Sequence, residues 1–149
     1  MTSPTTSTST DLRRRLLRSA GAVLLGFITV VFLSLGTDQV LHLLQVYPPW
    51  GQPMYDPWLN LLALSYRSVY TVLGGYIAAR LAPKNPMRHA VALGIMGTVV
   101  GTAGAFATIP LRLGPSWYPI ALALTGLPLT GLGGVLYVRT TIHNDRRSG

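Results

Sequence analysis

Cysteine and glutamate are both missing from the 149-residue sequence, and lysine occurs once, at Lys84. Without cysteine there is no disulfide, thiolate metal site or thiol nucleophile. Without glutamate, the side-chain carboxylates reduce to Asp11, Asp38, Asp56 and Asp145, which leaves few candidates for acid–base chemistry. Charge of either sign is scarce: 11% of residues are charged, against about 25% in an ordinary soluble domain. What is abundant is apolar surface, with 49% hydrophobic residues and a mean hydropathy of +0.40. Such a chain is solvated mainly by lipid. The net charge of +8 does not imply nucleic-acid binding, which needs basic residues gathered on a soluble face among stacking aromatics. Here they stand at the ends of apolar runs, where they meet the anionic headgroups of the bilayer and fix topology.

Four apolar segments follow one another. Residues 1–18 combine a Ser/Thr/Pro stretch with Arg13, Arg14, Arg15 and Arg18, a composition that predicts a disordered basic cytoplasmic tail. The first span is expected at about 19–46, the second at 58–81, the third at 87–109 and the fourth at 117–138. Each exceeds what an apolar core of ~30 Å requires at ~1.5 Å per residue. A basic tail, 139–149, ends the chain. The arginine cluster before an apolar run resembles a twin-arginine export signal. Against that, the run is longer than the roughly 7–15 residues of a signal core, and no Ala-x-Ala cleavage site follows it.

The connections carry the expected turn chemistry. The stretch from Tyr47 to Trp58 is crowded with prolines and aromatic rings, which suits an interfacial loop. Asn85 can cap the third helix with Pro86 in its first turn, and Ser116 can cap the fourth. Pro128 predicts a kink inside the fourth helix unless neighbours satisfy the freed carbonyl. Ten of the basic residues near span ends fall on one side: Arg13, Arg14, Arg15, Arg18, Arg80, Lys84, Arg88, Arg139, Arg146 and Arg147. Only Arg112 falls on the other. That asymmetry places both termini in the cytoplasm, and Trp50, Trp58 and Trp117 mark the outer interface. The expected fold is therefore an all-α integral membrane four-helix bundle, N-in and C-in.

Close packing in lipid depends on small residues. Gly94, Gly97, Gly101 and Gly104 form a seam on one face of the third helix, suited either to packing within the bundle or to a second protomer. Looser sets occur at Gly26 on the first helix, at Gly74 and Gly75 on the second, and at Gly126, Gly131, Gly133 and Gly134 on the fourth.

Two unlike charges, Asp38 and Arg67, lie at one depth in the first helical hairpin. An isolated charge at the bilayer centre costs on the order of 2.5–3.5 kcal/mol, so the two should pair. Ser34, Asp38, His42 and Gln45 share one helical face; Asn60, Arg67, Thr71 and Gly74 share another, with Tyr66 and Tyr70 flanking Arg67. The expectation is an intramembrane polar cluster of Asp38, His42, Arg67 and Tyr70. It serves either as a structural ion pair or as a binding site for an ion, a proton or an anionic group. One histidine and one carboxylate make no metal site, and no cofactor is expected. No phosphate loop, HExxH, nucleophile elbow or carboxylate pair occurs, so an enzyme is not expected.

Tyr66-Arg67, Gly74-Gly75-Tyr76, the turn from Ala82 to Ala90 and the turn from Gly114 to Pro119 resemble a family of small four-span bacterial membrane proteins of unknown function. The resemblance implies residence in the bacterial inner membrane and no particular activity. Two functions are compatible with these residues. The first is an accessory or regulatory subunit that packs against other helices, as a homo-oligomer or with a membrane-protein partner. The second is a small oligomeric transporter or channel subunit that uses Asp38, His42 and Arg67.

Overall fold

Long apolar runs interrupted only by proline-bearing turns leave the chain one way to satisfy its backbone in lipid, and that is as helices. A computed structural model describes residues 5–145, with side chains from 11 to 143. It contains α1 (Thr5–Leu43), α2 (Pro57–Leu81), α3 (Pro86–Thr108) and α4 (Trp117–Asp145), with a single 3₁₀ turn, Ile109–Leu111, after α3. Three of the four, α1, α3 and α4, are long and apolar enough to cross a membrane, so this is a helical membrane protein. The second helix, which carries Asn60, Arg67 and Arg80, falls short of that apolarity.

Packing supplies the reason. The second helix packs extensively against both α1 and α4 and also touches α3, whereas α1 leans mainly on α2. A helix that packs against neighbours on several faces can keep polar residues on those faces while Leu62, Val69 and Leu73 face outward.

The core is built from small residues. Ala22, Ala63, Ala78, Ala79, Ala90, Ala105 and Ala123 are buried, while Phe32, Phe106 and Leu124 stand more than 70% exposed. That inversion of the soluble pattern is expected where lipid covers the outside and backbones must approach closely.

The ends of the helices are set by local chemistry. The first helix closes at Leu43 rather than near 46, because Gln45 adopts a left-handed conformation (φ 57°). The amides of Gln45 and Val46 then donate to the carbonyls of His42 and Leu41, at 3.1 and 3.0 Å. This is the paired C-terminal motif usually built on glycine. At its other end α1 continues back to Thr5, through residues expected to be a disordered tail. From Asp11 to Arg18 the sequence is Asp followed by Leu and Arg, with neither Gly nor Pro, and a helix already nucleated by a span propagates cheaply through good helix formers. The fourth helix likewise runs beyond 138 to Asp145 and is unbroken at Pro128. The parts of both expected tails at 1–4 and 146–149 lie outside the described residues.

Asp56 caps α2, its Oδ1 accepting from the amides of Trp58 (2.8 Å) and Leu59 (3.4 Å), with Pro57 in the first turn. Replacing Asp56 with Ala should cost about 1 kcal/mol, read as a small drop in the thermal unfolding midpoint in detergent. Asn85 does not cap α3 through its side chain. It takes a left-handed backbone (φ 52°) and offers its carbonyl to His89 Nδ1 at 3.2 Å.

The α1–α2 loop and the α3–α4 turn are tied together. The Met54 amide donates to the Leu113 carbonyl at 2.7 Å, and the Tyr55 hydroxyl donates to the Arg112 carbonyl at 2.6 Å. Trp50, Trp58 and Trp117 all belong to this end. Arg18, Arg80, Lys84, Arg88 and Arg139 belong to the opposite end, where α2, α3 and α4 meet through contacts such as Gly134 with Met87.

Candidate functional site

The polar cluster forms between α1 and α2, and its centre is the Asp38 carboxylate. Asp38 is buried, 6% exposed. One carboxylate oxygen accepts from the Tyr66 hydroxyl and the other from Arg67 Nη2. Both oxygens of the Asp38 carboxylate are therefore engaged by donors from α2, and the pair fixes one helix against the other. A buried ion pair satisfied in this way specifies register, and removing one member strands the other. A second rung lies beside it, where the hydroxyls of Thr37 and Tyr70 are 2.9 Å apart. Tyr70 thus joins the α1–α2 seam but does not bond to the ion pair.

Tyr47 completes the cluster, and nothing in the helical periodicity points to it. It lies beyond the end of α1, folded back by the left-handed turn at Gln45, and is 5% exposed. Its one hydroxyl proton faces the Leu59 carbonyl and the Tyr66 oxygen, each at 3.3 Å. Burial, the largest influence, raises the Tyr47 phenol above its usual range. Asn60, expected among the polar face of α2, instead staples the loop, its Nδ2 donating to the carbonyls of Met54 (3.0 Å) and Asp56 (2.8 Å).

His42 is not brought to the ion pair. Its ring stacks at 4.0 Å on Trp50 and edge-on at 5.5 Å to Tyr47, and its buried Nδ1 finds no partner among the described residues. Helical spacing correctly places His42 one turn beyond Asp38, but the returning loop supplies aromatic rings rather than a polar neighbour.

The glycine seam of α3 is divided by its surroundings. Gly94 meets Leu127 and Thr130 of α4, and Gly101 meets Ala123 of the same helix, so these two pack within the bundle. Gly97 and Gly104 have nothing within 4 Å of a notional Cβ and line two cavities. The upper one, about 410 Å³, lies towards the aromatic end between α2, α3 and α4 and includes Asn60, Arg67, Gly104 and Tyr118. The lower one, about 260 Å³, lies between α1, α3 and α4 with Arg67 and Thr71 of α2 at its back. Arg67, Gly101 and Leu122 border both.

Fold and site together define a helical membrane protein with a buried Asp–Arg pair between its first two helices. No known protein family, curated protein or solved structure matches the chain.

Proposed function

We propose that this chain is a four-span protein of the bacterial cytoplasmic membrane, with both termini in the cytoplasm, acting without catalysis as an accessory or regulatory subunit. In this reading α2 is the fourth span, 25 residues long and packed against its neighbours. The gathering of arginine and lysine at one end supports the orientation.

The observation that carries the reading is on α1. Gln39 is exposed on the face turned away from the bundle, one turn from Gly36, which is also exposed and has open space around it. Beside them Phe32, Leu35 and Trp50 wall a surface concavity of about 590 Å³. A carboxamide exposed near the outer end of a span can hydrogen-bond to a neighbouring helix, and a small residue next to it lets another backbone approach. Together they are the two features that drive helix association in lipid. The occupant is a transmembrane helix of another protein or of a second copy.

A photo-crosslinking residue at position 36 should give a discrete protein adduct in native membranes. The same probe at Val99, on the exposed face of α3, should not. Gln39→Leu should remove the position-36 adduct while leaving the protein folded. Labelling of lipid alone at both positions would overturn the proposal. A transport pathway through Asp38, His42 and Arg67 is the alternative function, and the stacking of His42 on Trp50 rather than against Asp38 favours the accessory role.

A further inference from the structure

Arg67 has more donors than partners. Among the described residues its one hydrogen bond is from Nη2 to Asp38, while the buried Nε has no acceptor. Buried polar groups are generally satisfied, and a guanidinium presents five N–H donors in a planar fork and cannot neutralise itself. Arg67 borders both cavities, and no other charged residue lines either one. Asp38 lies on the α1 side, already used. The charge presented to the two cavities is therefore a single positive one.

The surroundings are amphiphilic in the same sense. In the upper cavity, the hydroxyls of Tyr118 and Ser116 join Arg67 and make no hydrogen bond among the described residues. In the lower cavity the walls are Phe27, Val31, Leu35, Leu93 and Val100. Val31, Leu35 and Val100 are exposed on the outside of the bundle, so the slot opens laterally into lipid between α1 and α3, which touch only sparingly. Side chains on a helix lean towards its N-terminus, and for α2 that is the aromatic end. The guanidinium is thus carried towards the level where lipid headgroups sit. The upper cavity falls within the roughly 300–1,000 Å³ of small-molecule sites.

We infer that Arg67 and the two cavities meeting at it bind one anionic membrane phospholipid, its phosphate on the free side of the guanidinium and one acyl chain in the lower slot. An arginine fork matches a phosphate with two parallel charge-assisted bonds, and the apolar slot excludes water beside them. The inference rests on membrane residence and on Arg67, not on the helix partner proposed for the Gly36–Gln39 face.

The test uses the full chain purified in nanodiscs of equal phosphatidylglycerol and phosphatidylcholine, with retained lipid read by native mass spectrometry. The wild-type chain should keep one phosphatidylglycerol, enriched about tenfold over phosphatidylcholine. Gly97→Leu and Gly104→Leu add side chains whose Cβ would have no atom within 4 Å and which extend into the cavities, so they should fold and yet displace the lipid. The neutral double variant Asp38→Asn/Arg67→Gln removes the cation without stranding a charge, and should abolish the headgroup preference. Equal retention of the two lipids by the wild-type chain, or unchanged retention in folded Gly97→Leu and Gly104→Leu, would overturn the site. Displacement of the lipid by inorganic phosphate would mean a free-anion site and would overturn the lipid assignment.

Discussion

Asp38→Asn should be the most damaging single substitution in the polar cluster, lowering stability by about 3–5 kcal/mol. The variant keeps the shape of the side chain and removes only its charge. Arg67 then loses its counter-ion while 28% of its side chain remains exposed, too little for water to restore what was lost. A guanidinium cannot shed its proton, so the charge persists in a site that no longer balances it. The converse change, Arg67→Gln, should cost less, because a stranded carboxylate can take up a proton and become neutral. The asymmetry separates an ion pair from a mere polar contact, which would respond equally from either side. In a double-mutant cycle read by thermal unfolding in detergent, Asp38→Asn/Arg67→Gln should recover about 2 kcal/mol of the summed losses. Additive losses would mean that the two side chains do not depend on each other.

Tyr66→Phe tests the remaining donor. It takes one acceptor bond from Asp38 and leaves the hydroxyl of Tyr47 with only the Leu59 carbonyl. A hydrogen bond to a charged group contributes about 1.5–3 kcal/mol, so Tyr66→Phe should fall between the cap variant Asp56→Ala and Asp38→Asn. The order of the three unfolding midpoints is the measurement.

Much of this arrangement is legible in the residues alone, and the parts that are not share a cause. Proline-bearing turns and the run lengths between them place α2, α3 and the start of α4 within a residue or two. The pairing of Asp38 with Arg67 follows from matched depth in one hairpin. Periodicity assigns a residue to a face but does not say what stands opposite. His42 has the right spacing to join Asp38 and meets Trp50 instead. Tyr47 lies outside any helix, yet a left-handed turn at Gln45, an unusual residue for that position, carries it into the cluster. The role of α2 is not written in its periodicity: its polar residues look costly for a span, and only the neighbours packed against its inner faces show how they are held.

The glycines give the clearest test of that difference between face and neighbour. Gly74 and Gly75 are adjacent on α2, and adjacent positions on a helix point about 100° apart. Gly74 meets Gly26 and Val30 of α1, while Gly75 meets the backbone of Thr130 on α4. Gly133 and Gly134 repeat the device on α4, the first against Val72, Gly75 and Tyr76 of α2, the second against Met87 and Ala90 of α3. A methyl group added at Gly133 would stand 2.6 Å from the Tyr76 nitrogen and 3.0 Å from the Gly75 carbonyl carbon, both backbone atoms that no rotamer change can move. Gly133→Ala should therefore push α2 and α4 apart and cost about 3 kcal/mol, the upper end of overpacking penalties. Gly97→Ala, chemically the same change on the helix whose spacing looks most like a packing seam, meets nothing within 4 Å. It should be neutral or should stabilise by about 0.5–1 kcal/mol, through the better helix propensity of alanine. Opposite signs in the two unfolding midpoints would locate the tight contact at the α2–α4 crossing. A large loss at Gly97 instead would mean that the cavity it lines between α1, α3 and α4 is tighter than the open space around its Cβ.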